Sequence, residues 1–184
     1  MKKSIIASVI ALGMVSGLAQ AAVNEVQFHG TVSTVTCDLA PSVDGSLNPN
    51  GNRIELGDLK IGQKGQVVKF SFKPTTQDPA NVTACNDIAK DPNKTVSMTW
   101  RSDKFGAKGL GIITGDAKDS FVNIAPVNDK GAGKDIITAN NTTHEFSASM
   151  LADGAEGLKY SAFLQAGQQA GDFQTAATFT MAYK

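Results

Sequence analysis

The side chains that could carry out chemistry are few and far apart in this sequence. Its 184 residues include two cysteines, Cys37 and Cys85, and two histidines, His29 and His144. These are too few for a four-cysteine zinc site or a cluster of histidine metal ligands. Neither histidine has the surroundings of a base for a cysteine nucleophile, and no carboxylate pair has a context typical of acid–base catalysis. The sequence therefore predicts a protein that is not an enzyme and that needs no metal or other cofactor.

The charged residues argue against one class of partner. The chain has 17 Lys and Arg residues and 17 Asp and Glu residues, so its formal net charge is zero. Proteins that bind nucleic acid carry a basic excess or a basic run interleaved with aromatic residues, and this sequence has neither. We expect no nucleic-acid partner.

The first 21 residues have the three parts of a secretory signal peptide. Lys2 and Lys3 form a basic start, residues 5–18 are mostly apolar, and residues 19–21 read Ala-Gln-Ala, a small-x-small cleavage site. A membrane anchor is the competing interpretation, but this apolar stretch is shorter than the ~20 residues of a bilayer-spanning helix. The sequence thus predicts export and a mature chain that begins at Ala22.

Export changes the interpretation of the two cysteines. In an oxidising compartment a lone cysteine pair is most simply a disulfide, so we expect a bond between Cys37 and Cys85. Closing a loop of this length stabilises a protein by roughly 4 kcal/mol in the chain-entropy model. A catalytic thiol is the alternative at this stage.

Apolar and polar residues alternate with a period of two through most of the chain, as in strands with one buried face. Clusters of Gly, Pro, Asn and Asp separate these runs and predict turns, for example at residues 77–79 and 91–93. No stretch has the period of an ordinary helix, and residues 86–90 could hold one helical turn at most. Strands are predicted at residues 26–32, 53–59, 68–72, 95–100, 110–114, 121–127, 144–151, 158–165 and 173–183.

Many short strands in about 160 residues predict a single antiparallel sandwich or barrel. Antibody domains place a tryptophan between their two cysteines, whereas Trp100 follows Cys85 here. We therefore expect a sandwich that is not of the antibody type, with Trp100 in its core.

Both ends of the mature chain carry long alternating patterns, although the ends of domains usually fray. Near the N-terminus, one face would contain Val26, Phe28, Gly30 and Val32. On pattern alone, both ends would be strands of a closed sandwich. Near the C-terminus, the odd-numbered residues share one mainly apolar face: Gly171, Phe173, Ala177, Phe179, Met181 and Tyr183.

These two ends resemble a known family. The pattern Phe28-x-Gly30-x-Val32 precedes Cys37, a glycine stands fourteenth from the C-terminus, and a tyrosine is penultimate. In these features the chain resembles the pilin subunits of chaperone–usher fimbriae, and among them the major subunits of enterotoxigenic-type fimbriae. Residues 86–165 resemble the family only in being rich in strands.

The resemblance implies an all-β fold, an incomplete immunoglobulin-like antiparallel β-sandwich completed by a donor strand from a neighbouring subunit. Residues 1–21 would be the signal peptide, 22–35 the donor-strand extension and 36–184 the pilin domain. The donor side chains would be Val26, Phe28, Gly30 and Val32, and the outermost pocket would take Val23 or Asn24 or stay poorly filled. The acceptor groove, which is also the chaperone contact, would comprise Gly171, Phe173, Ala177, Phe179, Met181, Tyr183 and Lys184.

The resemblance also implies a function in assembly. The protein would be a structural subunit of an adhesive fimbria, specifically of its major shaft, exported through the periplasm to the cell surface. Its partners would be identical or related pilin subunits, a periplasmic chaperone that anchors the carboxylate of Lys184, an outer-membrane usher and a host-cell receptor. The alternative is a fimbrial adhesin that itself binds host glycans or cell-surface receptors.

Overall fold

The computed structural model describes residues 37–43, 46–47, 51–131 and 135–184. The predicted signal peptide and the predicted donor residues Val26, Phe28, Gly30 and Val32 lie outside these ranges. All strand pairings between the described elements are antiparallel. The described strands are β1 Leu39–Val43, β2 Ser46–Leu47, β3 Val68–Pro74, β4 Thr95–Arg101, β5 Phe105–Gly106, β6 Gly109–Gly111, β7 Phe121–Pro126, β8 Thr143–Ser147, β9 Leu158–Gln165 and β10 Thr178–Tyr183.

The larger sheet has seven strands in the order β2-β1-β3-β9-β7-β6-β5. Its central strand β9 shows the alternation seen in the sequence. Leu158, Tyr160 and Ala162 are buried, whereas Lys159 and Ser161 between them are half-exposed. Because successive side chains of a strand point to opposite faces, one face of this sheet is turned toward the core.

The smaller sheet has the order β10-β4-β8 and packs against that face. The ring of Trp100 on β4 lies 5.3 Å from the ring of Tyr160 on β9 and 5.8 Å from that of Phe72 on β3. Trp100 is buried, as the sequence predicts. The two layers therefore form an antiparallel β-sandwich, which confirms the predicted fold class.

An α-helix between β3 and β4 corrects the sequence prediction. The helix α1 spans Pro79–Ala89, whereas the sequence predicted one turn at most, at residues 86–90. The side chain of Asp78 accepts a hydrogen bond from the backbone N–H of Ala80 at 2.9 Å, and Pro79 occupies the first turn. Asp at the N-cap followed by Pro is a favourable helix start. Asp78 and Pro79 are equally typical of a turn, which is what the sequence predicts at residues 77–79.

The predicted disulfide between Cys37 and Cys85 is confirmed. It joins the residues just before β1 to the middle of α1, and both cysteines are buried. Helix α1 is attached to the sandwich by this bond, by the buried side chain of Ile88 and by hydrogen bonds from Asn81 to Asp38 and Thr75.

Several other predicted strands differ in extent, and the strand predicted at residues 110–114 is the shorter β6, which ends at Gly111. Residues 53–59 form no strand, although Ile54 and Leu56 pack against the core. The predicted strand at 144–151 ends at Ser147 and continues as the 3-10 helix Ala148–Leu151. The last strand begins at Thr178 instead of residue 173.

His144 of β8 points into the core, and its ring lies 6.2 Å from that of Tyr160. Neither ring nitrogen has a hydrogen-bond partner among the described residues. Burial lowers the pKa of His144 below its ordinary value of 6.5, and the negative charges of Asp129 and Asp135 only partly oppose this. The imidazole is therefore neutral in the folded protein near pH 7.

Replacing both Cys37 and Cys85 with alanine should lower the free energy of unfolding by about 4 kcal/mol, because a loop with a sequence separation of 48 residues is no longer closed in the unfolded chain. Urea denaturation of the oxidised protein and the variant measures this difference. Reduced wild-type protein serves as the control, since it loses the same bond without a change of sequence. Equal midpoints for all three would contradict the prediction.

Stability should also fall as the pH drops below 6.5. The unfolded chain takes up a proton at residue 144 from that pH downward, whereas the folded protein does so only at its own lower pKa. Between these two pKa values the unfolded state binds more protons than the folded state, so the free energy of unfolding decreases as the pH falls. Denaturation curves at pH 7.5 and pH 5 should therefore differ more for the wild type than for His144→Leu. An equal pH dependence in the two proteins would show that His144 is not responsible.

Candidate functional site

Strand β10 lies at an edge of the smaller sheet. It pairs with β4 from Thr178 opposite Arg101 to Tyr183 opposite Val96. Among the described strands, β4 is its one hydrogen-bonded neighbour. The backbone groups along its other side are therefore positioned to pair with another strand, the property that makes an open sheet edge a template for strand addition.

The side chains of β10 alternate between the two faces of the sheet, as its sequence predicts. Phe179, Met181 and Tyr183 are half-buried and pack against the core, while Thr178 and Thr180 are exposed. The ring of Phe179 lies 4.5 Å from that of Phe72. These core-facing side chains are only partly covered, so the edge combines an apolar strip with a backbone row that pairs with no strand among the described residues.

The start of β1 lies beside this apolar strip. The hydroxyl of Tyr183 donates a hydrogen bond of 2.8 Å to the carbonyl oxygen of Cys37, two residues before β1 begins. Leu39 and Val43 of β1 are also half-buried and pack against the core. The start of β1, which lies before its pairing with β2, and the edge strand of the smaller sheet thus lie on the same side of the sandwich, joined by Tyr183.

The hydroxyl of Tyr183 is a hydrogen-bond donor at every physiological pH. Burial raises its pKa to about 12, the nearby charge of Asp38 acts in the same direction, and the bond to Cys37 opposes both. The family resemblance implied that Tyr183 is a groove residue, but no pattern in the sequence indicated that its hydroxyl would reach Cys37. The two residues are 146 positions apart.

The segment that leads into β10 contains the other predicted groove residues. Phe173 and Ala177 are half-buried against the core. Gly171 is exposed and has φ +146°, and a Cβ atom there would lie 2.6 Å from the Cβ of Asp116. Glycine is therefore required by both the backbone conformation and the close approach. Gly171 lies beside the loop at Asp116, before the segment reaches the edge strand.

Lys184 follows the edge strand directly. Its backbone N–H and carbonyl both bond to Thr95 at 3.0 Å, which continues the ladder with β4 by one residue. Its ammonium group lies 3.0 Å from a carboxylate oxygen of Glu145 on β8, on the exposed side of the sheet. The Lys184 side chain is therefore paired within the protein, away from the apolar strip.

The described residues offer little for other chemistry. They contain no group of three or more His, Cys, Asp or Glu side chains arranged to hold a metal ion. None of the helices in the described ranges is long and apolar enough to cross a membrane. The feature with the clearest capacity for binding is the edge of β10, together with the strip of side chains behind it.

Comparisons with known proteins identify the family. No family model matches the sequence. The chain is 36% identical over 184 residues to the F107 fimbrial protein of Escherichia coli, an alignment that covers all of both chains. It is 27% identical over 197 residues to the K99 fimbrial protein of the same organism, covering all of this chain and 99% of that one.

Among solved structures, the P pilus rod subunit PapA aligns with 87% of this chain and 100% of its own, with a TM-score of 0.45 and 17% identity. The identification depends on the full-length similarity to F107, which agrees with the resemblance seen at the two ends of the sequence. The chain belongs to the fimbrial protein family that includes F107, and it is a fimbrial subunit.

Proposed function

We propose that this subunit polymerises by donor-strand exchange, in which residues 22–35 of one copy add as a strand to the open edge of β10 in the next. The observation that carries the proposal is the edge of β10 itself. Among the described residues it pairs on one side alone, and its core-facing side chains Phe179, Met181 and Tyr183 are only partly covered. A strand with alternating apolar side chains complements both the backbone row and the strip.

The proposed donor has this pattern. Val26, Phe28 and Val32 alternate with polar residues, and Gly30 stands between them where a shallow part of the groove would accept no side chain. Full burial of the three apolar side chains contributes roughly 5–9 kcal/mol before the cost of ordering the segment. About ten backbone hydrogen bonds, each with a net ~0.5–1.5 kcal/mol, add to this. A seated donor would therefore dissociate very slowly.

The geometry of the contact favours a filament. The donor segment and the acceptor edge are different surfaces of one chain, so each contact is heterologous and leaves a free donor at one end and a free acceptor at the other. Repetition of such a contact builds an open polymer. This is the arrangement expected of a major shaft subunit in a cell-surface fimbria.

An open apolar edge also creates a need for protection before assembly. Unpaired edge strands with exposed apolar side chains are prone to aggregate. We propose that a periplasmic chaperone covers β10 and binds the carboxylate of Lys184, and that an outer-membrane usher then exchanges the chaperone for the next subunit.

Deletion of residues 22–35 should abolish polymerisation while leaving a subunit that the chaperone still holds. The variant keeps the β10 edge but has no strand to donate. Electrophoresis in SDS without heating would then show monomers in place of the ladder that the wild type forms. A ladder from the truncated chain would contradict the donor assignment. As a control, a synthetic peptide of residues 22–35 should bind the deleted subunit, and the same residues in scrambled order should not.

Replacing Phe179 with lysine should prevent both chaperone capture and binding of the 22–35 peptide, because a charged group would then stand in the apolar strip. Thr180→Lys is the matched control, since it places the same charge one residue further along β10 on the exposed face. Co-purification with the chaperone measures capture, and circular dichroism checks that both variants fold. Normal capture of a folded Phe179→Lys subunit would show that the strip is not the binding surface.

A further inference from the structure

The peptide unit between Cys37 and Asp38 is held from two directions. Its carbonyl oxygen accepts the hydrogen bond of 2.8 Å from the Tyr183 hydroxyl on β10. Its N–H donates a hydrogen bond of 2.6 Å to the side-chain oxygen of Asn81 in α1. One amide group therefore connects the edge strand to the helix.

Three further bonds hold the same two residues. Cys37 is joined covalently to Cys85 of α1. The carbonyl oxygen of Asp38 accepts hydrogen bonds from the side-chain nitrogen of Asn81 at 2.9 Å and from the backbone N–H of Thr75 at 3.0 Å. Asn81 is buried, and its amide pairs with both backbone groups of Asp38 much as a neighbouring strand would. Cys37 and Asp38 are thus more firmly held than a lead-in to a strand requires.

We infer that Cys37 and Asp38 form a fixed root from which the N-terminal extension leaves the domain, and that the Tyr183 hydroxyl is a positioning group that ties this root to β10. The inference rests on the proposed function, in which residues 22–35 are the donor strand. Tension on the donor would enter its own subunit at Cys37. From there it divides between the disulfide into α1 and the hydrogen bond into β10.

This arrangement gives force a short path through each subunit of a fibre, from Cys37 directly to β10. Strand β10 would itself hold the donor of the adjacent subunit, so the root of one donor and the acceptor of the next lie side by side in each domain. Part of the force then passes between consecutive contacts through the Tyr183 side chain, and the rest enters α1 through the disulfide. The link does not depend on physiological pH, because the Tyr183 hydroxyl stays protonated.

Hydrogen exchange on the full-length subunit tests the root without requiring fibres. Tyr183→Phe keeps the half-buried ring and removes the hydroxyl, so the amides of Asp38 and Thr75 should exchange roughly fivefold faster, as expected for the loss of one hydrogen bond. Amides of β9 should be unchanged. Tyr160→Phe removes the hydroxyl of the tyrosine on β9. In this control the Asp38 and Thr75 amides should exchange no faster, compared with wild type, than the other amides of the protein. Equal rates at Asp38 in wild type and Tyr183→Phe, or a uniform increase along the chain, would overturn the inference.

Pulling single fibres at constant force tests whether the Tyr183 hydrogen bond carries load in the polymer. Fibres of Tyr183→Phe subunits should extend irreversibly roughly fivefold faster than wild-type fibres, whereas Tyr160→Phe fibres should match the wild type more closely. Equal extension rates for Tyr183→Phe and wild type would show that β10 does not share the load. Failure of the wild type to form fibres would contradict the proposed function instead, and the exchange rates of Asp38 would still decide whether the root exists.

Discussion

Phe72 of β3 occupies the point where the two sheets meet. Its ring lies 5.8 Å from Trp100 on β4, 6.0 Å from Tyr160 on β9 and 4.5 Å from Phe179 on β10. One side chain thus contacts both layers and reaches the edge strand. Because packed interiors transmit changes in position, the orientation of β10, and therefore of its open side, depends on this aromatic contact. The edge strand β10 is an extension of the core and not a loop added to it.

Because the core-facing side chains of β10 pack on the core and stay half-exposed, the same face of β10 stabilises the subunit and remains accessible from outside. Natural proteins usually protect edge strands with charges, prolines or a covering segment. Here the charged pair of Lys184 and Glu145 lies on the exposed side of the smaller sheet, and the core-facing side keeps Phe179, Met181 and Tyr183 half-covered. A half-covered apolar face of this kind leaves stabilising free energy that further burial would supply. In the proposed donor-strand exchange, the stability of each subunit would be linked to its assembly.

Strands with simple alternation could be predicted from the sequence, and segments that depend on distant partners could not. β9 has the predicted bounds, and its apolar and polar residues alternate from Leu158 to Ala162. β1 was not predicted, since Pro41 and Ser42 interrupt its pattern. Helix α1 has almost no apolar periodicity; it begins at the Asp78 cap and is attached by the disulfide and by the hydrogen bonds of Asn81. For the candidate site, odd-numbered spacing identified the side chains of β10, but the bond of Tyr183 to Cys37 is a tertiary contact with no local signal.

The contact between Tyr183 and Cys37 also bears on how the chain folds. It joins residues 146 positions apart, and β10 pairs with β4 across most of the second half of the chain. The entropy of closing such long loops must be overcome before these contacts stabilise anything, and topologies dominated by them fold in roughly milliseconds to seconds, more slowly than helical bundles. During that interval Phe72 and the apolar side of β3 lack Phe179. A protein that catches the C-terminal segment early would therefore act on folding speed as well as on solubility.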